Sequence, residues 1–276
     1  MNYRILVIGG GASGMVAAIE AARSGAKVTV LEHQNRVGKK ILVTGNGKCN
    51  ITNLDMDQRF FRSDNKSFPG IVLNFFNERD TMNFFQDLGI EPLNRNGYIY
   101  PNSGQASSVL EVLMLEMERL GLDVITDFHV TKIERKKAQW LVTGEKDAKL
   151  EKVVADAAIM ATGSKAASKT GSDGSGYELA KSLGHRIIAP VPALVQLRTE
   201  GNFLKQWTGI RCDGAIQLKV NGTVVSSDRG ELQLTDYGIS GIPIFQVSRF
   251  ASKALAKKKK VAVTIDFLPH ILMEEV

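Results

Sequence analysis

Three glycines and one acid carry the first chemical signal. Gly9, Gly11 and Gly14 stand in a G-x-G-x-x-G spacing, with Gly10, Ala12 and Ser13 between them. Glu32 follows 18 residues after Gly14. Such a spacing lets the chain turn tightly at Gly9 and bring its backbone against a pyrophosphate at Gly11. At Gly14 it lets a helix pack close to a strand. The helix start then offers free N–H groups and a positive dipole end to phosphate oxygens. Ser13 adds a hydroxyl donor. Glu32 can accept hydrogen bonds from a ribose diol and disfavours a 2′-phosphate. His33 stands next to it, at the adenosine edge.

The second constellation lies just downstream. Arg36, Lys39 and Lys40 place three cations within eight residues of the ribose acid. A Gly-rich polar stretch follows: Thr44, Gly45, Asn46, Gly47, Lys48, Cys49 and Asn50. Successive backbone N–H groups in such a stretch can form an anion-binding concavity. NAD and FAD share an ADP half, so the first fingerprint does not choose between them. A second phosphate cradle suits a long, extended cofactor such as FAD. The competing readings are an NAD-dependent dehydrogenase that uses the first fingerprint alone, and a non-catalytic nucleotide-binding protein. For the lysines it is a solvated basic loop.

These residues need a strand, a turn and a helix to hold them, and the pattern supplies all three. Tyr3–Ile8 is a short apolar run, as expected of a strand buried on both faces. Met15–Ser24 is Ala-rich and helical, and Gly25 ends it. Lys27–Leu31 is a second β-branched run leading into Glu32. This context separates a dinucleotide fingerprint from a chance glycine-rich turn. Residues 33–70 have no period and read as a long functional loop.

Further on, residues 71–89 predict a helix with Phe75, Phe76, Phe84, Phe85 and Leu88 as core contacts. Gly97–Tyr100 predicts a strand, 104–120 a helix and Leu122–Thr126 a strand. His129–Glu134, Gln139–Thr143 and Lys149–Val154 predict an antiparallel meander. Ala157–Ala161 predicts another strand, running into Thr162 and Gly163, and Gly176–Leu183 a short helix. Pro190 and Pro192 mark a domain boundary. Beyond them the texture is β-rich. Asn221-Gly222 is a hairpin turn between Ala215–Val220 and Thr223–Ser226. Glu231–Thr235 predicts a strand, Ile242–Ala256 a helix and Val261–Phe267 a last strand. The fold class is therefore α/β, with a Rossmann-type domain of parallel sheet plus β-meander over 1–190. A β-rich second domain occupies 191–276.

Composition sets the limits. The chain has 276 residues, 23% charged and 43% hydrophobic, which excludes a mostly disordered chain. The net charge of +6 suits an anionic small ligand as well as nucleic acid. It is partly one local run, Lys257–Lys260, read as a solvated helix end favoured by the helix dipole. No aromatic residues interleave with that run, so nucleic acid is not expected as a partner. Two cysteines, Cys49 and Cys212, cannot form a disulfide framework or a Cys-only zinc site. With no signal peptide or membrane span apparent, a cytoplasmic setting is expected.

The sequence resembles a family. Gly9–Gly14, Glu32, the stretch Gly45–Asn53 (GNGKCNITN) and Asp236–Gly241 (DYGISG) look like the bacterial YhiN-type flavoproteins. These are also described as aminoacetone-oxidase-type or HI-type NAD(P)/FAD-dependent oxidoreductases, and they include a dehydro-bile-acid reductase. The resemblance implies that Gly9–Gly14 and Glu32 hold the ADP half of FAD. Lys40 and Gly45–Asn50 would line the pyrophosphate and flavin side, and the backbone of Val130 would meet the adenine. Ala161, Thr162 and Gly163 resemble a strand-end motif that approaches the cofactor, with Ser164 where a second glycine is expected. The implied chemistry is hydride transfer through the flavin, with NAD(P)H or a small amine or enone as the exchanging partner. The resemblance also implies a return of the chain to the first domain, with a late Gly-acid motif. Residues 242–276 lack that motif, so a C-terminally truncated chain is expected.

The remaining chemical side chains read blandly. Cys49 has no sequence neighbour for redox pairing and is expected to be a small packing residue. His33, His129, His185 and His270 show no metal spacing. Tyr98, Tyr100 and Tyr237 are candidates for substrate contact, but no residue emerges as the general acid. Gly171–Gly176 (GSDGSG) lacks an abutting strand. It is expected to be a loop before a helix rather than a second fingerprint.

Overall fold

The computed structural model describes residues 3–62, 64–201 and 203–271. The chain divides into two compact units, Met1–Ile187 and Ile188–Val276. The last part of the 242–276 stretch, residues 272–276, lies outside the described residues.

The first unit opens with β1 (Arg4–Ile8), α1 (Ala12–Arg23) and β2 (Lys27–Leu31). It continues through β3 (Thr52–Asn53), α2 (Phe68–Phe75), α3 (Glu78–Asp87), β4 (Pro92–Arg95), β5 (Tyr98–Pro101) and α4 (Ala106–Arg119). After these come β6 (Asp123–Ile125), β7 (His129–Lys136), β8 (Gln139–Lys146), β9 (Lys149–Ala155), β10 (Ala157–Met160) and α5 (Ser175–Ser182). Four strands form a parallel sheet in the order β10-β1-β2-β6. The meander β7-β8-β9 forms its own antiparallel sheet. The small sheet β3-β5-β4 is also antiparallel.

The two central strands of the parallel sheet, β1 and β2, are packed on both faces, as their continuous apolar runs require. On one face Val7, Val28 and Val30 pack with Met15, Ala18 and Ile19 of α1 and Val109, Leu113 and Met117 of α4. On the other, Leu6, Ile8 and Leu31 pack with Phe128, Val130, Ile133 and Val142 of the meander and Leu179 of α5. Each such fully buried aliphatic side chain contributes about 1.5–3 kcal/mol by leaving water. The two helices α1 and α4 are also stapled by charge. Glu116 accepts from Arg23 (Nη2, 2.9 Å) and from Arg119 (Nε, 2.6 Å; Nη2, 2.8 Å). Although Glu116 is buried, the Arg119 and Arg23 guanidinium groups hold its carboxyl down at about 2.

The single helix expected over 71–89 is instead two. Phe76 takes an extended conformation (φ −154°, ψ 104°) and ends α2. Asn77 then starts α3 with a capping box: its side chain accepts from the Arg79 and Asp80 amides, and Asp80 accepts from the Asn77 amide. Phe84, Phe85 and Leu88 pack against the core as expected. Phe75 and Phe76 do not, being 85% and 51% exposed. The break ends their helix before it can continue the face that α3 buries.

The second unit contains β11 (Leu197–Arg198), β12 (Arg211–Val220), β13 (Thr223–Thr235), β14 (Gly238–Gly241), α6 (Ile242–Ala256) and β15 (Val261–Asp266). Its sheet runs β11-β14-β13-β12-β15, antiparallel throughout. The hairpin at Asn221 (φ 51°) and Gly222 (φ 86°) has the two positive φ values of a type I′ turn. The two strands expected at 223–226 and 231–235 run as one strand, β13. Ile244, Val247 and Ala251 of α6 seal one face against Ile216, Leu218, Leu232 and Leu234. Among the described residues, no helix is long and apolar enough to cross a membrane.

Candidate functional site

The end of β1 delivers the chain into the glycine turn. Gly9 takes φ +103°, and a Cβ there would lie 2.6 Å from the Ala161 carbonyl oxygen. Gly14 is tighter still, since its Cβ would lie 1.9 Å from the Gly9 carbonyl oxygen. These two glycines are therefore explained by the packing of α1 on β1 and the end of β10. Gly11 is different. Its backbone is extended (φ −77°, ψ −177°), which any residue adopts, and a Cβ there would meet nothing within 4 Å. No conformational or packing demand of the chain requires glycine at 11. A group brought close to this backbone would require it.

Gly11 also starts α1, and no side chain caps that helix. The first-turn amides are left for solvent or a ligand. Across the turn, Glu32 is 7% exposed. Its Oε2 accepts from the Gly10 amide at 2.7 Å and its Oε1 from the Gln34 amide at 2.8 Å. The His33 Nδ1 lies 3.5 Å from the same Oε1. The carboxylate is thus fixed beside the glycine turn with acceptor capacity to spare, since each oxygen has two lone pairs.

A cavity of about 560 Å³ opens over this turn. Gly9, Gly11, Ala12, Ser13, Glu32, His33, Arg36, Lys39, Lys40, Thr44, Cys49, Asn50, Val130, Ala161, Thr162 and Gly163 all line it. Gly14 does not, in keeping with its place under the helix. Gly45, Asn46, Gly47 and Lys48 do not line it either. They form a tight left-handed reversal, with Gly45, Asn46 and Gly47 at positive φ. Two amides of the expected second cradle are already used: Lys48 donates to the Gly45 carbonyl and Cys49 to the Thr44 carbonyl. What reaches the cavity from this stretch is its two ends.

The cationic side of the cavity is Arg36, Lys39 and Lys40. None of the three makes an ion pair among the described residues. Lys39 donates to the Gln34 side chain at 2.7 Å. Lys40 donates to the Ala166 carbonyl at 2.6 Å and to the Ser172 hydroxyl. All three line the cavity together with the Glu32 carboxylate, which already accepts from two amides. Such a lining is complementary to a phosphate-bearing ligand.

Several lining residues carry no signal that the fingerprint reading used. Gln34, Phe128 and His129 are among them. The rings of His33 and His129 meet edge to face at 6.2 Å. Thr170, Gly171, Ser172 and Ser175 also line the cavity. Their Gly/Ser-rich run was visible in the sequence, and it does precede a helix, α5. Its approach to Lys40 spans 132 residues and has no local pattern. Asp173 in this run is held below the usual carboxylate range, first by the Ser175 amide at 2.9 Å.

The family described as HI0933-like protein Rossmann domain matches residues 3–259. The 3-dehydro-bile acid delta(4,6)-reductase of Clostridium scindens is 43% identical over 275 residues, 99% of this chain and 66% of that protein. The ribosomal RNA dihydrouridine synthase of Haemophilus influenzae is 27% identical over 98% of this chain and 65% of its own length. The chain therefore spans just under two thirds of the length of these relatives. Among solved structures, the open conformation of a flavocytochrome c3 fumarate reductase shares the fold. It matches with a TM-score of 0.53 and 16% identity over 76% of this chain and 47% of that one. With the glycine turn, the parallel sheet and the meander in place, and a family match spanning nearly the whole sequence, the chain belongs to the HI0933-like Rossmann-domain family.

Proposed function

We propose that this chain is the FAD-binding part of a flavin-dependent oxidoreductase that moves a hydride between NAD(P)H or a small organic substrate and the flavin. The observation that carries the reading is Gly11: a glycine in extended backbone with no protein neighbour, at the uncapped start of α1 and beside the fixed Glu32 carboxylate. The residues present fit a dinucleotide. Gly9 and Gly14 shape the turn, Gly11 admits the pyrophosphate, and the amides of Ala12 and Ser13 meet its oxygens. Glu32 takes the ribose hydroxyls. His33, Val130 and His129 border the adenine end. Arg36, Lys39 and Lys40 supply countercharge, while Ala161, Thr162 and Gly163 offer a small-residue approach at the end of β10.

FAD supplies the hydride chemistry when bound. The chain's part is to hold it, orient it and exclude water around it. The names of the two relatives narrow the substrate class. A delta(4,6)-reductase of a 3-dehydro compound and a dihydrouridine synthase both add hydrogen across a carbon–carbon double bond in a carbonyl-containing framework. We therefore favour the enone over the amine, and a small molecule over nucleic acid because the bile-acid reductase is the nearer of the two in identity.

Titration of the flavin-free chain with FAD, FMN and NAD, followed by flavin fluorescence and calorimetry, tests this. FAD is expected to bind tightly. FMN, which lacks the adenosine that Glu32 and His33 would hold, should bind at least about a hundredfold more weakly, a difference of roughly 2.7 kcal/mol. Tight NAD binding with no FAD binding would establish the dehydrogenase reading instead.

A further inference from the structure

The cavity has a roof. Residues 164–169 are exposed, yet Ser164, Thr170, Gly171 and Ser172 of the same segment line the cavity from inside. The segment is bounded by two left-handed glycines, Gly163 (φ 75°) and Gly174 (φ 87°). It joins the end of β10 to the start of α5, two elements anchored in the core. Between those glycines the strap carries one short 3-10 turn, Ser168–Thr170.

The strap touches the opposite wall at two points. Gly171 rests on Gln34 and His33, where a Cβ would lie 3.0 Å from Gln34 Cγ and 3.4 Å from His33 Cε1. Lys40 makes the polar contact, donating to the Ala166 carbonyl at 2.6 Å and to the Ser172 hydroxyl. These two acceptors lie six residues apart, so one ammonium gathers both limbs of the strap. Both acceptors are neutral, and Lys40 forms no ion pair among the described residues.

We propose that Lys40 is the latch of this strap. It closes segment 164–173 over the dinucleotide cavity and sets how fast the bound molecule leaves. The inference rests on the FAD reading for the identity of that molecule, but the latch itself is a property of the flavin-free chain. Lys40 is here a positioning residue that acts through the strap. Gly163 and Gly174 are the hinges, the glycines at positive φ where the segment leaves β10 and enters α5.

Two measurements on the purified chain decide it. The first is hydrogen–deuterium exchange of peptides covering 164–173 without flavin, in wild type, Lys40→Met, Lys40→Arg and Ser172→Ala. Exchange is expected to rise about tenfold or more in Lys40→Met and by less in Ser172→Ala. Lys40→Arg should restore most of the protection, and peptides of β1 and α1 should not change. The second is FAD release after rapid dilution, read by flavin fluorescence, which should accelerate in the same order. Unchanged exchange of the strap in Lys40→Met overturns the latch. So does a Lys40→Met protein whose strap exchanges faster while FAD leaves at the wild-type rate, because the strap would then not govern release. If the wild type binds no FAD, the functional reading fails, and the exchange experiment still decides the latch.

Discussion

The Glu32 carboxylate and the Gly10 amide meet at 2.7 Å across the glycine turn. This bond ties the end of β2 to the end of β1. A second bond, from the Gln34 amide at 2.8 Å, holds the other carboxylate oxygen. Glu32 is therefore both a structural acceptor and the expected ribose contact. Glu32→Ala orphans two amides and should cost about 2–6 kcal/mol of stability at roughly 1–3 kcal/mol for each unpaired group. Glu32→Gln keeps one acceptor oxygen and should cost less. Urea unfolding of the three proteins gives the order.

The glycines of the fingerprint should separate by mechanism. Gly11→Val introduces a side chain into space free of protein atoms, on backbone it can adopt, so folding should be near wild type while FAD occupancy collapses. Gly14→Ala forces a Cβ to 1.9 Å from the Gly9 carbonyl, where backbone and not a flexible side chain must yield. It should destabilise by about 3 kcal/mol or more. Thermal melts and flavin content, measured on both variants, should show one loss each. Normal flavin content in Gly11→Val would reduce the fingerprint to a structural turn.

The α1–α4 staple gives a pH dependence with a defined sign. The folded Glu116 carboxyl sits at about 2, below its ordinary value of 4.5, held there first by the Arg119 side chain and then by Arg23. A depressed folded value means the staple stabilises fully above the unfolded value. That stability fades as pH falls from about 4.5 toward 2. The melting temperature of wild type should exceed that of Glu116→Gln at pH 6, by a gap that narrows steadily as pH falls from about 4.5 toward 2. A constant gap across this window would mean the staple contributes no linked protonation.

Cys49 lies on the cavity wall with φ +57°. A packing role predicts that Cys49→Ala keeps FAD occupancy and most of the flavin's reduction by NAD(P)H or substrate. A loss of about a thousandfold in the reduction rate with occupancy intact, roughly 4 kcal/mol of barrier, would make it a redox thiol. Stopped-flow bleaching of the flavin band compares the two proteins directly.

Local pattern made the strand–turn–helix–strand core readable: Ile5–Ile8 and Val28–Leu31 are short apolar runs, Ala17–Ala22 is Ala-rich, and Gly9 and Gly25 follow the first strand and the helix. Segment 71–89 reads as one helix because apolar composition alone does not show a break. The signal was present in Asn77 and Asp80, a capping pair inside the run. Strands β4, β11 and β14 are too short and mixed to show a period. In the site, the residues near Gly9 and Glu32 were legible because the fingerprint is local. Ser172 and His129 were not, because they join the cavity only when distant elements fold together. Gly45–Lys48 misled for the opposite reason: the glycines serve the loop's own reversal, and only its ends, Thr44 and Cys49–Asn50, face the cavity.

The central claim is that the cavity over Gly11 holds FAD. The most direct measurement is the absorption spectrum of the chain purified in the presence of FAD and freed of excess, followed by extraction of the chromophore and its mass. The account predicts a flavin spectrum and the mass of FAD, at a stoichiometry near one, lost in Gly11→Val. A colourless protein, or one whose extract contains only FMN or NAD, would contradict it.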